Sequence, residues 1–144
     1  MGKTKIIKPK TDEAKVEAPA KSSGKSQKRK VESGRVYISA SYNNTIISIT
    51  DSRGAVIAWA TAGSLGFSGP KKATPFAASK VVAALAEKVE KTGPVNVEVY
   101  VSGVGGGRDS AVRWLLNHNF NIVSIKDVTP IPHNGPKSPK VRRV

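Results

Sequence analysis

Cysteine is absent from the 144 residues. Disulfides, thiolate metal sites and cysteine nucleophiles are thereby excluded. Histidine is scarce, with only His118 and His133, and two imidazoles alone do not make a zinc site. Aromatic residues form 6% of the chain, and the aromatic pattern of an RNA-recognition motif is missing. No apolar run approaches the ~20 residues needed to span a bilayer. Nor does any segment pair a basic helical face with a bulky aromatic edge, so no membrane contact is expected. The N-terminal stretch lacks an apolar core, so no secretory signal is expected. Its acids, Asp12, Glu13 and Glu17, set it apart from acid-poor transit peptides. Ile6 stands where an N-myristoylation signal needs Ser or Thr.

Carboxylates are also few. Between residues 35 and 125 they are Asp51, Glu87, Glu90, Glu98 and Asp109. Three strands leading into a β-α-β unit would suit a ribonuclease-H-like nuclease. Such an enzyme needs several carboxylates converging on metal ions ~3.5–4 Å apart, and the first strand carries no acid at all. No catalytic residue, metal or cofactor is expected. Asp51 and Asp109 are expected to fix turns, and His118 to cap a helix or lie at the surface.

Positive charge is what the chain has in excess. Against 10 Asp and Glu stand 24 Lys and Arg, a formal net charge of +14. A polyanion is the natural counterpart, because each neutralised phosphate releases counterions. The cations concentrate at the two ends of the chain, which suggests a compact body with basic termini that thread into RNA. Residues 1–34 are rich in Lys, Ser, Ala and Pro and hold almost no large apolar side chains. They are expected to form a disordered basic extension when free, with Lys28, Arg29 and Lys30 in its densest basic cluster.

Residues 35–128 read as a single α/β domain. Val36, Ile38, Ala40 and Tyr42 alternate with Tyr37, Ser39 and Ser41, the period of a strand. Asn43-Asn44 then predicts a tight hairpin with positive φ. TIISITD at 45–51 is a β-branched strand, and Ala55 to Ala60 a third, completing an antiparallel meander. A Gly- and Pro-rich loop with Lys71 and Lys72 follows. Thr74-Pro75 predicts a helix start, with Thr as N-cap and Pro at the first position. Ala78, Val82, Leu85 and Val89 form its apolar stripe, while Lys80, Glu87 and Lys91 lie opposite. VNVEVYVS at 95–102 alternates strictly, with four Val on one face. A shorter helix to about Asn117 should turn Val112, Leu115 and Leu116 inward, and NIVSIKDV at 121–128 is the last strand. Trp59 and Trp114 are expected to pack in the core or on the sheet rather than serve as base-stacking platforms. RNA recognition should then rest on phosphate, shape and loop contacts more than on stacking across a sheet. The order β-β-β-α-β-α-β implies a mixed sheet with packed helices.

Two segments bear on binding. The loop Gly103-Val104-Gly105-Gly106-Gly107-Arg108 lies between a strand and a helix, a setting that suits phosphate at a helix N-terminus. It is not a dinucleotide fingerprint, since Arg108 stands where the sixth-position Gly is needed, and no Gly-Lys-Ser/Thr closes a Walker loop. At the end, residues 129–144 carry Pro130, Pro132, Pro136 and Pro139, then Lys140, Arg142 and Arg143. This is an extended arm, stiffened by proline, with a charged tip.

Asn43-Asn44-Thr45-Ile46, Gly66-Phe67, Lys71-Lys72, Thr74-Pro75-Phe76-Ala77-Ala78, the glycine loop ending in Arg108 and, above all, DVTPIPHNG at 127–135 resemble ribosomal protein eleven of the small (30S) subunit, a universal family. The resemblance covers roughly residues 34–144. It implies a ribonuclease-H-like fold without nuclease activity. Further, it implies binding to small-subunit rRNA on the platform, where the family bridges RNA helices and helps form the Shine-Dalgarno cleft that holds messenger RNA. The implied neighbours are ribosomal proteins seven and eighteen and initiation factor three, in a cytoplasmic ribosome. The chain departs from the family at Val104, Gly106 and Asp109 of the glycine loop. It also departs after Asn134, where Gly135-Pro136-Lys137-Ser138-Pro139-Lys140 replaces a commoner Gly-Cys-Arg-Pro-Pro-Lys.

The residues and the resemblance together mark Lys28, Arg29, Lys30, Asn43, Asn44, Arg53, Lys71, Lys72, Thr74, Gly105, Gly107, Arg108, His133, Asn134, Lys137, Lys140, Arg142 and Arg143 as candidate rRNA-binding residues. The rival readings are a non-ribosomal basic DNA- or RNA-binding protein and a ribonuclease-H-like nuclease. Competition between duplex DNA and rRNA at matched salt separates the first, and incubation of labelled RNA with metal the second.

Overall fold

The computed structural model describes residues 31–90 and 92–143. The candidates Lys28, Arg29 and Lys30, most of the N-terminal extension, and Lys91 lie outside the described residues. The elements run β1 (Ser33–Ala40), β2 (Thr45–Asp51), β3 (Val56–Thr61), α1 (Pro75–Val89), β4 (Asn96–Ser102), α2 (Gly107–Asn117) and β5 (Asn121–Asp127). Two short 3-10 turns, Gly63–Leu65 and Gly69–Ala73, occupy the long loop before α1. The strands form one sheet in the order β3-β2-β1-β4-β5. The first three pair antiparallel, while β4 pairs parallel with both β1 and β5. The expected mixed α/β architecture is therefore present. No described helix is long and apolar enough to cross a membrane.

The core lies on one face of this sheet. Val36 and Ile38 of β1, Ile47 and Ile49 of β2, and Val97, Val99 and Val101 of β4 are buried against the helices. Helix α1 contributes Ala78, Val82, Leu85 and Val89, the stripe expected from its spacing, together with Val81 beside it. Its start is set by local chemistry. Pro75 needs no hydrogen-bond acceptor at the first position, and the Thr74 hydroxyl accepts from the Ala77 N–H at 3.2 Å. The two helices pack on each other, α1 over β2 and β3 and α2 over β1 and β4. Among the described residues, nothing packs on the opposite face.

Several local expectations change. Strand β1 begins at Ser33, so Ser33 and Gly34 belong to the sheet although their composition resembles the tail. A Cβ at Gly34 would meet the Thr50 carbonyl and the Pro94 ring. The strand ends at Ala40, leaving Tyr42 78% exposed in the turn. Neither Asn43 nor Asn44 has positive φ. Instead a four-residue loop is closed by Ser41, whose backbone N–H donates to the Asn44 carbonyl at 2.9 Å. Its hydroxyl accepts from the Asn44 N–H at 3.0 Å. Val95 precedes β4 and is exposed.

In α2 it is Ala111 and Leu115 that face inward, with Val112 beside them. Leu116, about 100° further round the helix, is exposed. Asp109 lies in the first helical turn rather than in a loop, where it complements the helix dipole. The tryptophans are not core residues. Ala60 is buried opposite Ile47, so the alternation of β3 places Trp59 on the bare face, 58% exposed. Trp114 precedes the inward Leu115 and is likewise exposed, with its ring centroid 6.1 Å from that of His118. His118 is the C-cap of α2, its backbone N–H donating to the Trp114 and Leu115 carbonyls.

Candidate nucleic-acid interface

Strand direction decides which loops meet. Strands β1, β3, β4 and β5 all run one way, and β2 runs back. The β1–β2 turn with Asn43 and Asn44, the loop 62–74, the glycine loop after β4 and the arm after β5 therefore emerge at the same end of the sheet. Ligands of open α/β sheets gather at this carboxyl end of parallel strands.

Hydrogen bonds and close packing between these segments hold the end together. The Gly105 N–H donates to the Ala40 carbonyl at 2.8 Å. A Cβ on Gly105 would strike the Ser41 carbonyl, and one on Gly103, whose φ is +95°, would strike that of Ala40. The glycine loop is thus pressed onto the root of the Asn43-Asn44 turn as closely as backbone allows. Gly105 and Gly107 are buried, and the Gly105 amide is already committed to Ala40. These two residues shape the loop from beneath; its exposed positions are Val104 and Gly106. On the other flank, the Ala62 N–H donates to the Thr45 carbonyl at 3.1 Å, tying the lysine loop to the start of β2.

Arg108 is the joint between the glycine loop and the arm. Its guanidinium donates to Asp127 Oδ2 at 2.6 Å and to the Gly103 carbonyl at 3.0 Å. Asp127 Oδ1 in turn accepts from the Thr129 hydroxyl at 2.6 Å and the Thr129 N–H at 2.9 Å. The Thr129 hydroxyl oxygen accepts from the Gly103 N–H at 3.2 Å. The Arg108 hydrogen bond, reinforced by those from Thr129, holds the Asp127 carboxyl well below the usual carboxylate range. The DVT of the DVTPIPHNG segment is therefore a clamp that fastens the first residues of the arm to the body. Arg108 keeps 31% of its side-chain surface open, with part of its donor set spent internally.

Beyond the clamp the arm is open to solvent from Pro130 through Arg143. Asn134 adopts φ +57°, the turn expected of Asn134-Gly135. His133, Lys137, Lys140, Arg142 and Arg143 are exposed, as is Lys71, with Lys72 half-buried. The Thr74 hydroxyl is occupied at both ends, donating to the Lys71 carbonyl at 2.7 Å while capping α1. Asn44 Oδ1 accepts from the Thr45 N–H at 2.9 Å, whereas Asn43 is exposed.

Arg53 is the described candidate that the fold does not bring to this end. It sits in the β2–β3 turn at the far end of the sheet, where Asp51 Oδ1 accepts from the Arg53 N–H at 2.7 Å and the Ala55 N–H at 3.0 Å. Asp51 is thus the turn-former expected of it. A cleft of about 420 Å³ opens at that far end, between the C-termini of the two helices, and Glu87, Glu90, His118 and Phe120 line it. Two carboxylates on its walls oppose a phosphate there. Among the described residues no three His, Asp or Glu side chains cluster as metal ligands. Sequence reasoning missed the clamp role of Asp127 and Thr129. The only available signal was their place at the junction of a strand and a proline-rich arm.

The ribosomal protein S11 family matches residues 34–143. A protein named small ribosomal subunit protein uS11 from Solibacter usitatus is 53% identical over 124 residues, covering 86% of this chain and 92% of that protein. Its namesakes from Alteromonas mediterranea and Synechococcus elongatus are 50% and 52% identical over 127 residues, covering 88% of this chain and 98% of theirs.

Proposed function

The chain belongs to the ribosomal protein S11 family, structural and non-enzymatic components of the small ribosomal subunit that serve translation, and from that premise we propose that it grips rRNA with one end of its sheet. The loop end supplies the grip: Asn43 and Asn44, Lys71 and Lys72, the glycine loop with Arg108, and the arm with His133, Asn134, Lys137, Lys140, Arg142 and Arg143. The body behind it is a ribonuclease-H-like sheet without the carboxylate cluster of a nuclease, a reading that the strand order β3-β2-β1-β4-β5 supports. The site is the platform of the subunit, where the protein bridges separate small-subunit rRNA helices and helps form the Shine-Dalgarno cleft beside messenger RNA. Ribosomal proteins seven and eighteen and initiation factor three are its protein partners there, in the cytoplasm.

One observation carries this reading. Four segments far apart in sequence converge on a single end, and a hydrogen-bonded clamp aims a polycationic arm outward from it. Phosphate interactions of this kind fix position and orientation on folded RNA. The far end carries the acids Asp51, Glu87 and Glu90 beside Arg53. A chain without cysteine allows a direct test. Single variants Asn43→Cys, Lys71→Cys and Lys137→Cys, each tethered to an iron chelate and assembled into small subunits, are expected to cleave neighbouring rRNA. Arg53→Cys is expected to cleave it weakly or not at all. Equal cleavage from all four positions would refute the proposal.

A further inference from the structure

The bare face of the sheet carries a row of side chains that the loop-end grip does not use. Register places Trp59, Ser48, Tyr37, Tyr100 and Lys126 side by side on β3, β2, β1, β4 and β5. Tyr37 and Tyr100 stack with ring centroids 5.1 Å apart and planes inclined by 19°. The Lys126 ammonium lies 5.3 Å from the Tyr100 centroid. Tyr100 is thereby closed on both flanks, by a ring and by a cation. Tyr37 is closed only on its Tyr100 side, and its other flank looks across Ser48 toward Trp59.

That flank is a notch. Trp59 and Tyr37 stand two strands apart, roughly 9–10 Å at the backbone, with only the small side chain of Ser48 between them. A planar group held at ~3.5–4 Å from each ring fills such a gap with the rings leaning slightly inward. Ser48, half-buried between them, supplies a hydroxyl-bearing floor. Trp59 is 58% exposed and Tyr37 38%. Both rings belong to a rigid, paired sheet, so little conformational freedom is lost on stacking.

We infer that this notch takes one unpaired nucleobase of small-subunit rRNA, stacked between Trp59 and Tyr37 on the bare sheet face. The inference rests on the rRNA-binding reading above and adds a second kind of interaction to it. The chemistry of the face selects RNA over an apolar protein segment. In the rows flanking the notch the large aliphatic side chains nearest it are Ile46 and Val56, in different rows, while Val123 and Val128 lie at the β5 edge; the rest are Ser and Thr with Arg35 and Glu98. Arg35 and Lys126 both approach Glu98, at 3.9 Å each, which leaves the face with net positive charge beside the notch. Stacking rings, hydroxyls and surplus cation suit a base with its phosphate, since every base has a π-face.

The chain's two tryptophans permit a direct test. In a Trp114→Phe background, emission from Trp59 is expected to be quenched as small-subunit rRNA is titrated in. Trp59→Ala is expected to weaken rRNA affinity roughly 5- to 100-fold with an unchanged salt slope. It should also make one rRNA nucleotide newly reactive to base-specific probes, and Trp59→Phe should restore most of both. The Phe variant, still aromatic on an exposed strand position, separates a loss of stacking from a loss of folding. Unaltered affinity and reactivity in Trp59→Ala, while the arm variants still lose binding, would overturn the notch and leave the grip standing. If the arm variants also lose nothing, the rRNA-binding reading itself falls. Quenching by other small-subunit proteins and not by rRNA would make the face a protein-docking surface and overturn the inference.

Discussion

The two ends of the sheet are built from the same strands yet follow opposite rules. At the far end, turns are short and closed by their own side chains, as Asp51 shows by accepting the Arg53 and Ala55 amides. Acids such as Glu87 and Glu90 gather there. At the loop end, backbone packs on backbone through Gly103 and Gly105, and charged groups are either clamped, as Arg108 is, or left open on the lysine loop and the arm. The difference teaches that rigidity and exposed charge are assigned separately. Glycine packing and the Asp127 clamp make a stiff base, and the cations that need a partner project from it.

Deleting the free charge tests the comparison hardest. Replacing Lys137, Lys140, Arg142 and Arg143 together by Gln is expected to weaken binding to a small-subunit rRNA fragment on the order of a hundredfold. For every phosphate left without its cation, the log–log salt slope should also fall by ~0.7–0.9. Filter binding between roughly 50 and 200 mM salt measures both, and an unchanged slope removes the arm from the interface. Next in size, Gly105→Ala forces a methyl group onto the Ser41 carbonyl and is expected to cost about 1–3 kcal/mol of folding stability. Gly54→Ala, at φ +92° in open space at the far end, carries only backbone strain, about 1 kcal/mol. Equal shifts in denaturation midpoint would erase the distinction between the two ends.

A smaller effect is expected from the clamp. Asp127→Asn keeps every cation but loosens the arm root, and rRNA affinity should fall roughly three- to tenfold as preorganisation is weakened. Acid provides the same test without mutation. Because the folded Asp127 is more acidic than its unfolded counterpart near pH ~3.9, its contribution is fully present above that pH. It is lost only as pH falls further, through the lowered folded value. The Gly103 and Thr129 amide resonances should therefore hold their shifts while ordinary carboxylates protonate; titration of these amides near pH ~4 would show the clamp to be absent. Smallest of all, Arg53→Gln is expected to alter rRNA affinity by less than about twofold, in keeping with the low energetic weight of an isolated exposed charge.

What could be read along the chain were features with a local cause. Strand β2 at Thr45–Asp51, the Thr74-Pro75 start of α1 and its inward stripe follow from β-branching, capping and a period of 3.6. The polyanion partner follows from a net charge of +14, because counterion release does not depend on fold. Failures came where one periodic signal had to be placed in space. Leu116 and Trp59 carry strong apolar signals, but Leu115 and Ala60 took the inward positions and turned them out. Ser33 and Gly34 look like tail because Ser and Gly are turn residues. They are strand because β1 pairs with β2 and β4 there, and the Thr50 carbonyl leaves no room for a side chain at Gly34.

Sequence alone determined the alternating elements, the absence of cysteine chemistry and the sign of the partner's charge, since each depends on neighbours along the chain or on composition. Tertiary structure decided that β4 lies beside β1, that Arg108 closes on Asp127, that Arg53 stands apart from the loop-end cations, and that Trp59 and Tyr37 flank Ser48 on one face of the sheet. These relations join residues remote from one another along the chain. They are set by which strands pair and in what register, and no local period carries that information.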